Sequence, residues 1–317
     1  MLCQYEKVYL CNQLYFITQK KTTMKNNESK TTKSKTTKSD SKIYRMDEKR
    51  INEVLTERNK EKVIGYSNNV ALLPLLMDPT EEQETQLRNG DGKPLDKDEI
   101  RQINSSAGLA FNYYKLFESE IQKIHSGFTV TFEDKVAIPL HTSGKSANLD
   151  VSYNLDCTQY YIESKFLEPY RDGCKFNRDS YYTPDKYGFD EKETGLWLEL
   201  LENEKEFQYY DFPQLYRHLL AIRRKHKKEG NVALQSVSWK MTESFKKEYE
   251  MSEEDVKLIE TLEKEREKAC RLFNEFLEKI GWTTCSFEAK YYNDTDMLDA
   301  IKGSDKYDDF CKQYFLD

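Results

Sequence analysis

The sequence predicts an α/β fold, with a mixed central β-sheet of about five strands flanked by helices. Three observations carry this. "GFTVTFEDKVAIPL", "ANLDVSYNL" and "TQYYIESKF" alternate with a period of two and follow one another directly, as three strands. Two later runs, "NVALQSVSWKM" and "WTTCSFEAKYY", also read as strands, and a segment of helical period precedes each. Hydrophobic residues make up 38% of the 317 positions, enough to bury a large core.

Taken in order, residues 1–45 are a low-complexity segment containing "QKKTTMKNNESKTTKSKTTKSDSK". Such a composition buries too little surface to offset its ordering entropy, so disorder is expected, as a plain linker or a basic tail touching DNA. Residues 46–100 form a helical N-terminal extension. "DEKRINEVLTERNKEKV" has helical charge patterning, "SNNVALLPLLMDPTEEQ" is apolar and broken by prolines, and "NGDGKPLDKDE" is a loop. Residues 101–317 carry the sheet. A helix is expected over 96–125, its Asp-rich start complementing the dipole. Another is expected over 212–228 with Pro213 in its first turn. A long amphipathic helix runs from the cap Ser252 to the stop Gly281, and "DTDMLDAIKG" is a short one.

Composition excludes some functions. The net charge of −7 argues against a generic nucleic-acid binder, although phosphate affinity depends on local patches. Seven cysteines show no CxxC pair and no His at zinc-ligand spacing, which reads as reduced thiols in a cytoplasmic protein. No apolar run approaches the roughly 20 residues that cross a bilayer, so no membrane partner is expected.

The stretch "ANLDVSYNLDCTQYYIESKF" poses the chemical question, because it places Asp150, Glu163 and Lys165 inside strand-like runs. A tight turn at Leu155–Thr158 puts Asp150 across from Glu163, with Cβ atoms about 5 Å apart. Alternation puts Lys165 on the same face as Glu163. A divalent cation would convert the repulsion of the two acids into binding, and Mg²⁺ suits one or two carboxylates plus water. Lys165 would orient an attacking water, or accept its proton if burial lowers the lysine pKa. Two acids, a lysine and a metal are what phosphodiester hydrolysis needs. Glu-x-Lys also occurs at Glu28/Lys30, Glu133/Lys135 and Glu288/Lys290, where a surface ion pair is the default. The copy at 163 differs in its aromatic, apolar strand and its upstream acid.

With these residues in view, "LD…IESKF" resembles the PD-(D/E)xK nuclease superfamily. More narrowly, "NSSAGLAFNYY", "FEDKVAIPL", "ANLDV", "IESKFLEPY" and "FPQLYRHLLAI", in that order, resemble a family of bacterial restriction endonucleases. The resemblance runs from about residue 104 to the end of the chain. It implies a restriction-endonuclease-like core over 101–317, with Asp150 and Glu163 as metal-binding acids and Lys165 as the catalytic lysine. Leu149 stands where the proline of the motif would be. The resemblance also implies an acid from the preceding helix, with Glu118 (or Glu120) as the candidate; a solvated helix surface is the other role for either. Gln214 and His218 look like a glutamine motif set beside the active site in some relatives, or else they cap the helix and face solvent.

"RHLLAIRRKHKKEG" gathers Arg217, Arg223, Arg224, Lys225, Lys227 and Lys228, which would follow a DNA backbone or form a solvated helix face. The expected function is a Mg²⁺-dependent DNA endonuclease of a type II-like restriction kind, with Mn²⁺ as a substitute. The competing readings are a structure-directed repair or recombination nuclease and a non-catalytic DNA-binding or assembly module of the same fold. The partners implied are double-stranded DNA, a second copy of the chain where the cut is palindromic, and a cognate DNA methyltransferase.

Overall fold

The computed structural model describes residues 43–90, 93–96, 98–136, 147–174 and 184–316. Residues 1–42, nearly all of the expected low-complexity segment, lie outside the described residues, as does the stretch after Val136 expected to continue the first strand of the sheet. Ile43–Asp317 forms one compact unit.

Its helices are α1 (Glu48–Arg58), α2 (Glu81–Asn89), α3 (Ser106–Gln122), α4 (Glu168–Arg171), α5 (Glu191–Leu201), α6 (Phe212–His226), α7 (Glu243–Tyr249), α8 (Glu253–Lys279), α9 (Thr295–Ile301) and α10 (Tyr307–Gln313). A small hairpin pairs β1 (Gly65–Ser67) with β2 (Val70–Leu72). The main sheet holds β3 (Val130–Val136), β4 (Ala147–Leu155), β5 (Thr158–Lys165), β6 (Asn231–Ser238) and β7 (Cys285–Tyr291), in that spatial order. β3, β4 and β5 run antiparallel as a meander. β5, β6 and β7 run parallel, which requires the long connections that contain α6 and α8. The mixed five-strand sheet is the one the sequence predicts.

The β4–β5 turn fixes the register on which the site depends. Asp156 and Cys157 both have left-handed backbone, at φ +50° and +60°. Two such residues make the turn whose twist matches the flanking strands. Leu155 therefore pairs with Thr158, and Val151 with Ile162.

Aromatic side chains join the layers. Phe111 of α3 packs on Phe132 of β3, with ring centroids 5.0 Å apart. Phe273 of α8 packs both on Phe287 of β7, at 4.7 Å, and on Phe212 of α6, at 4.9 Å. α8 begins at Ser252 with a reciprocal capping box to Asp255, and Gly281 follows it at φ +72°. Both ends match the expected signals.

Two expectations are corrected. The single helix over 96–125 is interrupted, and α3 starts only at Ser106, capped by Ser105 Oγ on the Gly108 N–H. The cause is a competing strand-like contact: Leu73 N–H donates to Arg101 O, and Ile103 N–H donates to Ala71 O. These bonds hold Gln102 extended after a single 3-10 turn at Glu99–Arg101, so the Asp-rich stretch is not the start of α3. The extension over 46–100, expected to be helical, also contains two short strands. Asn68 and Asn69, at φ +50° and +65°, make the turn of the β1–β2 hairpin. Met46, Ile51, Leu55, Leu73 and Leu87 are buried in the same core as the sheet.

Gly108 is required by this arrangement, because a Cβ there would lie 2.3 Å from the carbonyl oxygen of Ile100. Alanine in a helix is ordinarily about 1 kcal/mol better than glycine. Here the sign reverses: Gly108→Ala is expected to lower the urea midpoint, and a raised midpoint would contradict the packing described.

Candidate active site

β5 delivers Glu163 and Lys165, and β4 delivers Asp150. The Asp150 carboxylate accepts the Ser164 N–H at 2.6 Å, which places Asp150 beside the Glu163–Ser164 peptide, as the register requires. α6 closes the cluster from above the strands. Asp211 caps it by accepting the Gln214 N–H at 3.2 Å, and Pro213 sits in its first turn. Gln214 and His218 are four residues apart and so share a helix face.

That face meets the strand residues. Lys165 Nζ donates to Glu163 Oε1 at 2.6 Å and to Gln214 Oε1 at 2.8 Å. His218 Nε2 lies 2.9 Å from Glu163 Oε2. Glu163 is 3% exposed and His218 0%, while Asp150, Lys165 and Gln214 are half-buried. Five residues read from the sequence thus come together, with His218 turned to Glu163 and Gln214 to Lys165.

Charges in this setting shift one another. Burial pushes the Glu163 carboxyl up, but Lys165 and His218 outweigh it and hold the group at about 2. Burial, then the neighbouring Glu163, push Asp150 well above the usual carboxylate range, and Glu133 adds to the push against the pull of Lys165. Burial disfavours the Lys165 ammonium, yet Glu163, Asp211, Glu168 and Asp150 together raise its pKa above that of a free lysine. Of the two roles open to Lys165, accepting a proton required a lowered pKa; the shift runs the other way and holds the group as a cation. Burial lowers His218 despite Glu163, so its imidazole is neutral. Facing an ionised carboxylate, Nε2 must carry the proton and donate it, while the buried Nδ1 has no partner among the described residues.

Other candidates lie elsewhere. Glu118 is buried, not solvated, and it ties helix to strand. Its carboxylate accepts Val130 N–H at 2.9 Å, Gln83 Nε2 at 3.0 Å and Lys115 Nζ at 2.7 Å. No hydrogen bond among the described residues joins it to the cluster. Glu120 pairs with Lys123. In the basic run, Arg223 and Lys228 are drawn inward to the buried Glu193, at 2.8 and 3.0 Å, because a buried carboxylate needs cationic partners. Arg224 lies over the Tyr187 ring and Lys225 over Tyr161. Lys225 and Lys227 are exposed and Arg217 is half-buried.

Two residues beside the site were missed in the sequence, one unnoticed and one read only as half of a surface ion pair. Glu265 of α8 accepts the backbone N–H groups of Gln208, Tyr209 and Tyr210 at 2.6, 2.8 and 2.8 Å. It thereby fixes the loop that leads into Asp211 and α6. Its signal was available: Glu265 interrupts the apolar stripe Leu258, Leu262, Ala269, Phe273 and Phe276. Glu133 is the second. Phe132 pairs with Val151 and Asp134 with Leu149, which leaves Glu133 opposite Asp150.

Among the described residues, no group of three or more His, Cys, Asp and Glu forms a cage for a metal ion. Two adjacent carboxylates suit Mg²⁺, which keeps much of its hydration, better than a metal that demands a full protein cage. The cluster fits such a cation at Asp150 and Glu163. Also among the described residues, Cys157, Cys174, Cys270, Cys285 and Cys311 are free thiols, and no helix is long and apolar enough to cross a membrane.

The sheet and its helices define the class, an α/β protein with two acids and a lysine gathered on neighbouring strands and a helix closing over Glu163 and Lys165. The model of the family described as "Restriction Endonuclease associating with ARP" matches residues 30–291, and the chain belongs to this restriction endonuclease family. It is accordingly a nuclease by descent. No curated protein and no solved structure is a match for the chain. The family match begins well before residue 104, where the motif resemblance starts, and residues 46–100 share the core of the sheet.

The opposite shifts of the two acids yield a prediction. The folded protein favours ionised Glu163, so this group stabilises the fold above about pH 4.5 and loses that effect as pH falls toward 2. It disfavours ionised Asp150, so a penalty develops as pH rises past about 4 and is present at pH 7. At pH 7, Asp150→Asn is expected to stabilise by roughly 1 kcal/mol, since its amide oxygen still accepts the Ser164 N–H. Glu163→Gln is expected to cost about 3 kcal/mol. Urea denaturation at pH 7 and pH 3.5 checks both: shifts of the same sign at pH 7 would contradict the electrostatics.

Proposed function

We propose that the chain is a Mg²⁺-dependent DNA endonuclease of a type II-like restriction kind, hydrolysing phosphodiester bonds in double-stranded DNA. The observation that carries this reading is the meeting of Asp150, Glu163 and Lys165 beneath Gln214 and His218. Family membership supplies the reaction class.

In this reading Asp150 and Glu163 hold Mg²⁺, with Mn²⁺ as a substitute. When bound, the cation supplies charge compensation at the phosphate and makes a water molecule more acidic. Lys165 acts as a fixed ammonium: it orients the attacking water and faces the negative charge that builds on the phosphate. His218 holds the Glu163 carboxylate in one orientation, and Gln214 does the same for the ammonium. Glu118, occupied by Gln83, Lys115 and the Val130 N–H, has no part in the chemistry. Arg217, Arg224, Lys225 and Lys227 would follow the DNA backbone, while Arg223 and Lys228 pair with Glu193.

Cutting both strands of a palindrome requires a two-fold pair of active sites, and hence a second copy of the chain. Host DNA must be protected, which implies a cognate methyltransferase. The family description adds association with ARP, and such a partner belongs to the same proposal. The free thiols agree with a cytoplasmic setting.

The test is incubation with unmodified plasmid and phage DNAs in Mg²⁺. Discrete fragments are expected, with rates reduced at least ~100-fold by Asp150→Ala or Lys165→Ala. Failure to cut any of these DNAs, or cutting that persists when both residues are replaced, would overturn the proposal.

A further inference from the structure

Glu163 has two carboxylate oxygens, and side chains occupy both: Lys165 Nζ sits on Oε1 at 2.6 Å and His218 Nε2 on Oε2 at 2.9 Å. Asp150 differs. Its Oδ2 accepts the Ser164 N–H, the one hydrogen bond it makes among the described residues, and the group is half-buried rather than sealed. A cation approaching the pair can therefore reach Asp150 directly, but at Glu163 it must displace a side chain.

The two occupants are not equally displaceable. His218 is fully buried on α6, and its ring is held within the helix packing. Lys165 is half-buried, carries its charge on a flexible stem and would be repelled by an arriving cation. It also has a second acceptor already in place, Gln214 Oε1 at 2.8 Å. Leaving Glu163 would thus cost the ammonium one hydrogen bond and not both.

We propose that cation binding at this site is an exchange reaction: the cation takes the Glu163 oxygen that Lys165 holds, and Gln214 is the positioning residue that retains the displaced ammonium beside the site. The inference rests on the assignment of Asp150 and Glu163 as cation ligands. Lys165 is then both a competitor for the cation and the group left next to it once bound. Gln214 affects binding without touching the cation, by giving the ammonium somewhere to go.

Two substitutions then act in opposite directions. Lys165→Met removes the competitor and is expected to tighten Mn²⁺ binding roughly tenfold, while abolishing cleavage. Gln214→Leu takes away the second acceptor, leaving the ammonium dependent on Glu163, and is expected to weaken Mn²⁺ binding by about threefold or more. A merely structural role for Gln214 would not produce weaker binding beside tighter binding in the lysine variant.

Calorimetric titration of Mn²⁺ into the full-length wild type, Lys165→Met, Gln214→Leu and Asp150→Asn tests the exchange. Nitrogen NMR of the lysine ammonium groups in the wild type, with and without Mg²⁺, tests it independently of how well any variant folds. Opposite affinity changes and a Mg²⁺-dependent shift of the Lys165 resonance are expected. If Asp150→Asn abolishes binding but Lys165→Met binds no more tightly, or the Lys165 resonance does not move, the exchange is overturned and the endonuclease assignment stands. If Asp150→Asn binds Mn²⁺ as the wild type does, the ligand assignment fails and the exchange fails with it.

Discussion

The arrangement of the site depends on one buried carboxylate. Glu163 lies between a lysine from its own strand and a histidine from the facing helix, and each of its oxygens has one of them. A charge of this kind is costly to bury alone. The strand residues and α6 consequently hold each other in place: moving the helix by a turn would separate His218 from Glu163 and Gln214 from Lys165 together.

The surrounding fold keeps α6 in register with the strand. Before the helix, Glu265 collects three backbone N–H groups in the loop leading to Asp211. At its other end, Glu193 of α5 holds Arg223 and Lys228. Phe212 and Tyr216 lock its apolar side against Phe273 and Trp197. The helix that contacts Glu163 is thus anchored at both ends by buried glutamates on neighbouring helices. Below it, the left-handed turn at Asp156–Cys157 sets the strand register that brings Asp150 to Glu163.

Much of this was legible in the sequence where the signal is local. Strand periodicity located the five strands, Ser252 and Gly281 marked both ends of α8, and counting back from the turn placed Asp150 across from Glu163. What escaped was decided by distant partners. The helix expected over 96–125 gave way because residues 101–103 bond to the β2 end of the hairpin. The role of Lys165 was open between orienting a water and accepting its proton, because its pKa depends on Asp211 and Glu168 as well as Glu163, and no spacing rule reveals that sum. Arg223 and Lys228 read as part of a basic surface because Glu193, their partner, lies 30 or more residues away in the chain. Gln214 and His218 were open between solvent and site, and only the docking of α6 on β5 turns their shared helix face to Lys165 and Glu163.

The most direct test of the account is crystallography of the full-length protein soaked with Mn²⁺, read by anomalous scattering. The account predicts a peak about 2.1 Å from carboxylate oxygens of both Asp150 and Glu163, with His218 still bonded to Glu163. A peak bound elsewhere, or Asp150 and Glu163 turned to opposite sides of the sheet, would contradict it.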